Sequence, residues 1–343
     1  VSFSIEGLLM AEVDCLLKAQ ELLNQSLVWD NHACMPLRPQ DDSFLDQLQR
    51  AHRTGVNVVA LNVGFGPQTL QDHLRMLAAF RHWLAARSDR YVLASSLADI
   101  DQARRDGKLA VFFDIEGMAP LNEGDHGLVA LFRELGVGWM LIAYNRNNAA
   151  GGGCMDEDTG LKAHGRRILA EMKRVGMIVC CSHTGHRTAR EVMEAADNPV
   201  IFSHSNAHAV YPHDRNIPDE LIRLCAATGG VVGINGIGDF LGQGEDYPAL
   251  LASHIDHMVQ LVGSEHVGIA LDYVYDTQEL LDYVANMRGT FGENQNMEFS
   301  CRFAPHESLL PLIARLMHMG YAQKDLQNIL GANWYRVAQQ VWK

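Results

Sequence analysis

Two short apolar runs, each ending in a histidine and separated by one helix-length segment, constrain this chain more than any other feature. The first is Met177-Ile178-Val179-Cys180-Cys181-Ser182-His183, and the second is Pro199-Val200-Ile201-Phe202-Ser203-His204. Between them Ala189, Val192, Met193 and Ala196 recur at helical spacing. Strand, helix and strand of this length form a βαβ unit, in which the two strands lie parallel and adjacent. Both histidines then stand at the carboxyl end of their strands, where ligands and chemistry collect in parallel α/β proteins. A single strand-end histidine is ordinarily a hydrogen-bonded structural residue. Two of them, a strand spacing apart, can share one metal ion.

The rest of the chain extends the same alternation. Apolar residues at helical intervals over 6–24 predict a helix within residues 1–26 that covers the fold and is not a separate domain. Strands are expected at 27–30, 56–63, 109–113, 138–144, 177–183, 199–204, 230–235 and 266–272, with helices at 42–53, 68–86, 96–106, 125–134, 161–174, from Pro218, and at 248–262. Further helices are expected at 277–288, 306–319, 322–329 and from Asn333. The run 56–63 is almost continuously apolar, as strands buried on both faces are. No linker rich in Pro, Ser or Gly divides the chain, so residues 1–343 read as one domain. The fold class is α/β, a (β/α)8 TIM-type barrel over 27–343 with additional N-terminal and C-terminal helices. An open doubly wound sheet is the alternative. The glycines at 229–244 offer no GxGxxG opening a helix after a strand, which removes the usual dinucleotide reading.

Composition narrows the function. A formal net charge of −13 argues against nucleic acid or an anionic membrane surface as partner. No apolar run approaches the length that spans a bilayer. Seven cysteines form no CxxC pair, and adjacent Cys180 and Cys181 point to opposite faces of a strand, which suggests reduced thiols and a cytoplasmic setting.

With the strands placed, the polar residues that follow them can be collected. They are His32 and Cys34 after the first, Glu116 after the third, Tyr144 after the fourth, His183 and His204 after the fifth and sixth, and Asp272 after the eighth. On a barrel these converge on one bowl. A His-x-ligand pair, a carboxylate able to bridge, two histidines and a separate aspartate are the parts of a hydrolytic metal site.

The same residues carry a family resemblance. WDNHACMP resembles an Asp-x-His-x-Asp-x-Pro pattern, and IEG at 115–117, SHTG at 182–185, IFSHSNA at 201–207, DRNIPDE at 214–220 and GIALD ending at Asp272 follow in order. The chain resembles the membrane (renal) dipeptidase family of the amidohydrolase superfamily, from about residue 27 to GANWYRV near the end. That resemblance implies a zinc-dependent barrel, with one or two Zn2+ ions, cleaving the amide bond of a dipeptide or related small amide with a free carboxylate through a metal-bound hydroxide. It implies that Glu116 bridges two ions, that His32 binds one and that His183 and His204 bind the other. Asp272 would act as general base and then acid, and Arg215 would grip the substrate carboxylate with its planar fork. A homodimer is implied as well.

Two departures bear on activity. Cys34 stands where the family has a second aspartate ligand; it is either a thiolate ligand or a buried thiol pointing elsewhere. Tyr144 stands where the family has a histidine steadying the tetrahedral intermediate, and a phenol donates one hydrogen bond without a charge. These leave two other readings open: a barrel that has lost the reaction and binds a small carboxylate, or a one-metal hydrolase of an ester, lactone or cyclic amide. Around the site, His208 and His213 follow the sixth strand closely enough to approach substrate. Gly151, Gly152 and Gly153 sit in a long loop that is either a lid or a plain connection, whereas His52, His73, His82, His254, His257 and His266 read as packing or solvent residues.

Overall fold

The strands run in one direction and pair in the order in which the chain makes them. The computed structural model describes residues 5–291 and 300–343, with side chains from residue 13 onward. Its barrel strands are β1 (Trp29–Cys34), β2 (Val58–Phe65), β3 (Leu109–Glu116), β4 (Val137–Leu141), β5 (Ile178–Cys180), β6 (Val200–Ile201), β7 (Val232–Ile234) and β8 (Val267–Ile269). Each pairs in parallel with its successor, and β8 returns to β1 through Asp30 opposite Ile269. The seam from β6 to β7 is likewise a single bridge, between Phe202 and Val232. This is the expected (β/α)8 barrel.

Alternation along the strands sorts the core into two shells. Val58 and Ala60 of β2, Ala110 and Phe112 of β3, Trp139 and Leu141 of β4, and Ile178 and Cys180 of β5 belong to one buried cluster. Their neighbours Val59, Leu61, Val111, Phe113, Met140 and Cys181 belong to the other, which the surrounding helices cover. Period two thus sends one set into the barrel and the other outward. Cys180 and Cys181 fall on opposite faces, as expected, and none of the seven cysteines is bonded to another. The C-terminal helix (Asn333–Val341) plugs the bottom: Trp334 is buried and donates its indole N–H to the Ile269 carbonyl at 3.0 Å. A Cβ on Gly268 would lie 2.6 Å from that indole.

Local rules set the helix ends. Thr69 with Asp72 and Ser96 with Asp99 form capping boxes opening helices Leu70–Ala85 and Leu97–Arg105. The first helix, Ile5–Gln25, leans on Leu309–His318, where Cys15 donates to the Ala314 carbonyl at 3.3 Å. It is the additional N-terminal helix expected from the sequence; residues 1–4 lie outside the described residues.

The structure differs from expectation at the strand ends. The first strand starts and ends later than 27–30, so His32 and Cys34 lie inside it. Its register against β2 shifts between Asp30 and Ala33, and this irregularity breaks the alternation a sequence reading relies on. Strands five and six stop short of their histidines, because the chain turns before them. Two short strands went unanticipated. Tyr91–Leu93 pairs with the lower half of β3, below the point where β4 begins to pair with it. Tyr273–Val274 continues alongside Ala33 and Cys34 of β1.

Candidate active site

Four strand tops bring the first group of side chains together. In β3 the inward set Ala110 and Phe112 continues through Asp114 to Glu116, so two carboxylates project along one line at the top of the barrel. In β2 the same alternation brings Asn62 in, where its amide donates to Asp114 Oδ1 at 3.0 Å and Glu116 Oε2 at 3.2 Å. The irregularity in β1 turns His32 inward, with its Nδ1 3.1 Å from Asp114 Oδ2. That contact leaves Nε2 facing Glu116 Oε1 at 3.7 Å and Asp272 Oδ1 at 3.3 Å. Two residues on, Cys34 Sγ lies 3.5 Å from both His32 Nε2 and Asp272 Oδ1. Asp272 is anchored by its other oxygen, which accepts from Asn235 at 2.8 Å.

The opposite side is built by β4, β5 and β6. His183 Nδ1 bonds Asn145 Oδ1 at 2.6 Å, and His204 Nδ1 lies 2.9 Å from the Ser203 hydroxyl. Both rings therefore present Nε2 to Glu116 Oε1, at 3.3 and 3.2 Å. Holding them there strains the backbone: Asn145, His183 and Asp272 have φ of 56°, 60° and 54°, the left-handed region that side-chain-bearing residues seldom adopt. Such conformations persist where the surroundings over-determine them. Here Gly153 contributes, since it packs so close that a Cβ would fall 2.2 Å from the Asn145 carbonyl. The three glycines are buried. Gly151 packs on Thr188 and Ile142, Gly152 on Asp158 and Asn147, and Gly153 alone wedges under Asn145.

Electrostatics follow from burial. Burial pushes the Glu116 carboxyl up to about 8, against the pull of His32, and its Oε1 has no hydrogen-bond partner. Burial lowers His183 and His204 well below the ordinary imidazole value, keeping both neutral and able to ligate. For His32 burial also disfavours the charge, but Asp114 and Glu116 outweigh it and hold the ring well above its usual value. Burial raises both the Cys34 thiol and the Tyr144 phenol above their ordinary values. Two donor groups each have their ligand atoms within 4.8 Å of one another: His32, Cys34 and Asp272, and His32, Glu116 and His204. The neutral imidazoles of His183 and His204, a carboxylate oxygen without a donor and a nearby thiol fit a divalent ion with nitrogen, oxygen and sulfur preferences.

Above this group opens a bowl of about 840 Å³. Tyr144 lines it and stacks on His183 at 4.0 Å. Arg215 enters from the loop after β6, only 3% exposed, with Nε and Nη2 lacking partners and its guanidinium over Phe240 at 5.4 Å. All eight residues singled out from sequence thus meet around one cavity or directly beneath it. His213 is a support, accepting from the Arg215 backbone N–H at 3.1 Å, while His208 is exposed outside the bowl. His254 is a packing residue, bonded at both nitrogens to the main chain. Sequence reasoning missed Asn62, Asp114, Asn145, Ser203 and Asn235. The available signal was weak: each is polar within or next to an apolar strand.

Comparison with known proteins places this geometry. The model of the membrane dipeptidase family (peptidase family M19) matches residues 16–287. An uncharacterized dipeptidase of Schizosaccharomyces pombe is 35% identical over 182 residues, 50% of this chain and 42% of that protein. A dipeptidase of Claviceps purpurea is 26% identical over 80% of this chain and 60% of its own length. The chain therefore spans about half the length of these two relatives. Among solved structures, an amidohydrolase from Pseudomonas aeruginosa superposes with a TM-score of 0.84 at 26% identity, covering 94% of this chain and 99% of that one. A metallopeptidase from Rhodobacter sphaeroides, solved with a phosphinate mimic of the dipeptide L-Ala-D-Ala, shares the fold at a TM-score of 0.74 and 21% identity, over 92% of this chain and 100% of that one. The ordered motifs, the barrel and a family match over most of the sequence agree, and the chain belongs to the membrane dipeptidase family, peptidase family M19.

Proposed function

We propose that this protein is a zinc-dependent hydrolase that cleaves the amide bond of a dipeptide, or a related small amide with a free carboxylate. The observation that carries the reading is Glu116 Oε1, buried without a hydrogen-bond partner and faced by the Nε2 atoms of His183 and His204. A buried carboxylate oxygen left without a donor is costly, and a cation removes that cost. Glu116 would serve two ions, His183 and His204 completing one side, and His32 with Cys34 the other. Zinc held there would supply Lewis acidity to the amide carbonyl and lower the pKa of a water.

The remaining roles fall to the chain. Arg215, buried and with two guanidinium nitrogens unpaired, would take the substrate carboxylate in its fork. Asp272, steadied by Asn235, would accept the proton from the attacking water at Oδ1 and pass it to the leaving amine nitrogen. Tyr144, kept protonated by burial, would donate its O–H to the oxygen that gains charge. The unbonded cysteines support a cytoplasmic setting, and family membership supports a homodimer.

A second reading rests on the Cys34 thiol, which burial pushes up. A Cys34 that kept its proton would leave one ion on His183, His204 and Glu116, suited to an ester, lactone or cyclic amide. Elemental analysis of protein purified without chelator separates the two: two zinc ions per chain support the first, one the second. Asp272→Asn tests the proton role. Loss of turnover by ~10²-fold or more, with folding and metal content intact, is expected. Full turnover would overturn it.

A further inference from the structure

The ring order fixes where the two ends of a substrate lie. Arg215 follows β6 and Phe65 closes β2, four strands away in a ring of eight, so they stand on opposite sides of the bowl. A substrate with its carboxylate on Arg215 and its amide over Glu116 must send its other half towards β2 and β1. That side is apolar. Phe65 packs edge-on against Tyr283 at 5.1 Å and lies 6.2 Å from Phe291, while Met35, Leu37 and Leu280 complete the wall.

The charged groups there are already engaged. Arg38 Nη1 binds Asp276 Oδ2 at 2.9 Å and approaches Glu279 Oε1 at 3.3 Å. Glu279 Oε2 accepts from the Leu37 N–H at 3.0 Å, and Asp276 Oδ1 caps the helix Thr277–Asn286. These carboxylates shape the rim; among the described residues on this side, the surfaces facing the bowl are chiefly aromatic and aliphatic.

We propose that this wall, formed by Phe65, Leu280, Tyr283 and Phe291 with Met35 and Leu37, is a specificity pocket for a bulky apolar side chain on the residue amino-terminal to the scissile amide. The inference rests on the hydrolase reading above and names its substrate class: amides whose acyl half is phenylalanine-like or leucine-like and whose amine half carries the carboxylate. An apolar pocket discriminates through buried area, and even one methylene commonly changes preference ~10-fold or more.

The test compares two phosphinate dipeptide analogues with the same alanine-like carboxylate half and either a benzyl group or hydrogen at the other side chain. Calorimetry on the metal-loaded full chain is expected to show the benzyl analogue binding at least ~10-fold tighter. Tyr283→Ala, on a helix with no fully buried side chain, is expected to shrink that ratio several-fold. Equal binding, a preference for the smaller analogue, binding of neither, or a ratio untouched by Tyr283→Ala would overturn the proposal. Turnover of Phe-Ala, followed separately, tests the underlying reading. The preference without turnover sustains the pocket and overturns the hydrolase.

Discussion

The Nε2 atoms of His183 and His204 face one another at 2.9 Å. Asn145 fixes the hydrogen on the far nitrogen of His183, because its own amide nitrogen is turned to the Thr290 carbonyl, leaving Oδ1 to accept. His183 Nε2 therefore presents a bare lone pair towards its neighbour and towards Glu116. Three ligand atoms converging in this way form a site shaped by the residues behind them, which is where metal affinity is commonly set.

Asn145→Ala removes the acceptor and places alanine in a left-handed conformation that asparagine tolerates better. The variant is expected to bind zinc ~10 to 100-fold more weakly in chelator competition. Asn145→Asp, which keeps an acceptor, is expected to recover most of that affinity. Equal affinity for all three proteins would mean that Asn145 does not orient the ring.

Arg215 sets function against stability. Its Nε and Nη2 are buried without partners, an arrangement that costs free energy and that a bound carboxylate would relieve. Arg215→Met is expected to raise the melting temperature while lowering kcat/KM for carboxylate-bearing substrates by ~10 to 100-fold, the equivalent of one or two charge-assisted hydrogen bonds. A variant both less stable and fully active would remove the guanidinium from its assigned role.

Cys34 invites a spectroscopic test, since a thiol 3.5 Å from His32 Nε2 and Asp272 Oδ1 can close a metal site only as thiolate. In cobalt-substituted protein a thiolate ligand gives a near-ultraviolet charge-transfer band. The band is expected in the parent and absent in Cys34→Ala, with the loss of about one ion from the His32 and Cys34 side. Cys34→Asp is expected to retain two ions without the band. No band in the parent would place Cys34 outside the coordination sphere.

How much of this was legible in the sequence follows from what each residue's signal depends on. His183 and His204 announced themselves because two apolar strands led into them, and Glu116 because it follows a third. Asn145 and Asp114 gave no such signal: each matters through contacts made across the barrel, to His183 and His32, 38 and 82 residues away in sequence. The first strand was placed too early because its register shift between Asp30 and Ala33 leaves no trace in a period-two pattern. Likewise the glycines at 151–153 read as either a lid or a plain connection. The role of Gly153 appears only when Asn145 is packed against it.

His254 gives a stability prediction independent of any metal. It is fully buried, accepts from the Ala207 N–H at 3.2 Å through Nδ1 and contacts the Leu241 carbonyl through Nε2 at 3.0 Å, so it must be neutral with its hydrogen on Nε2. Burial accordingly lowers its pKa from 6.5 to about 4. Between those values the unfolded chain binds a proton that the folded protein refuses, so stability is complete above pH 6.5 and falls as pH drops towards about 4. The loss attributable to this ring is on the order of 3 kcal/mol. Burial lowers other imidazoles as well, His73 among them, so the comparison must be with a variant. His254→Gln, which can keep a donor and an acceptor without titrating, is expected to show a shallower decline in denaturant stability over that range. Parallel pH profiles for parent and variant would show that His254 carries no such linkage.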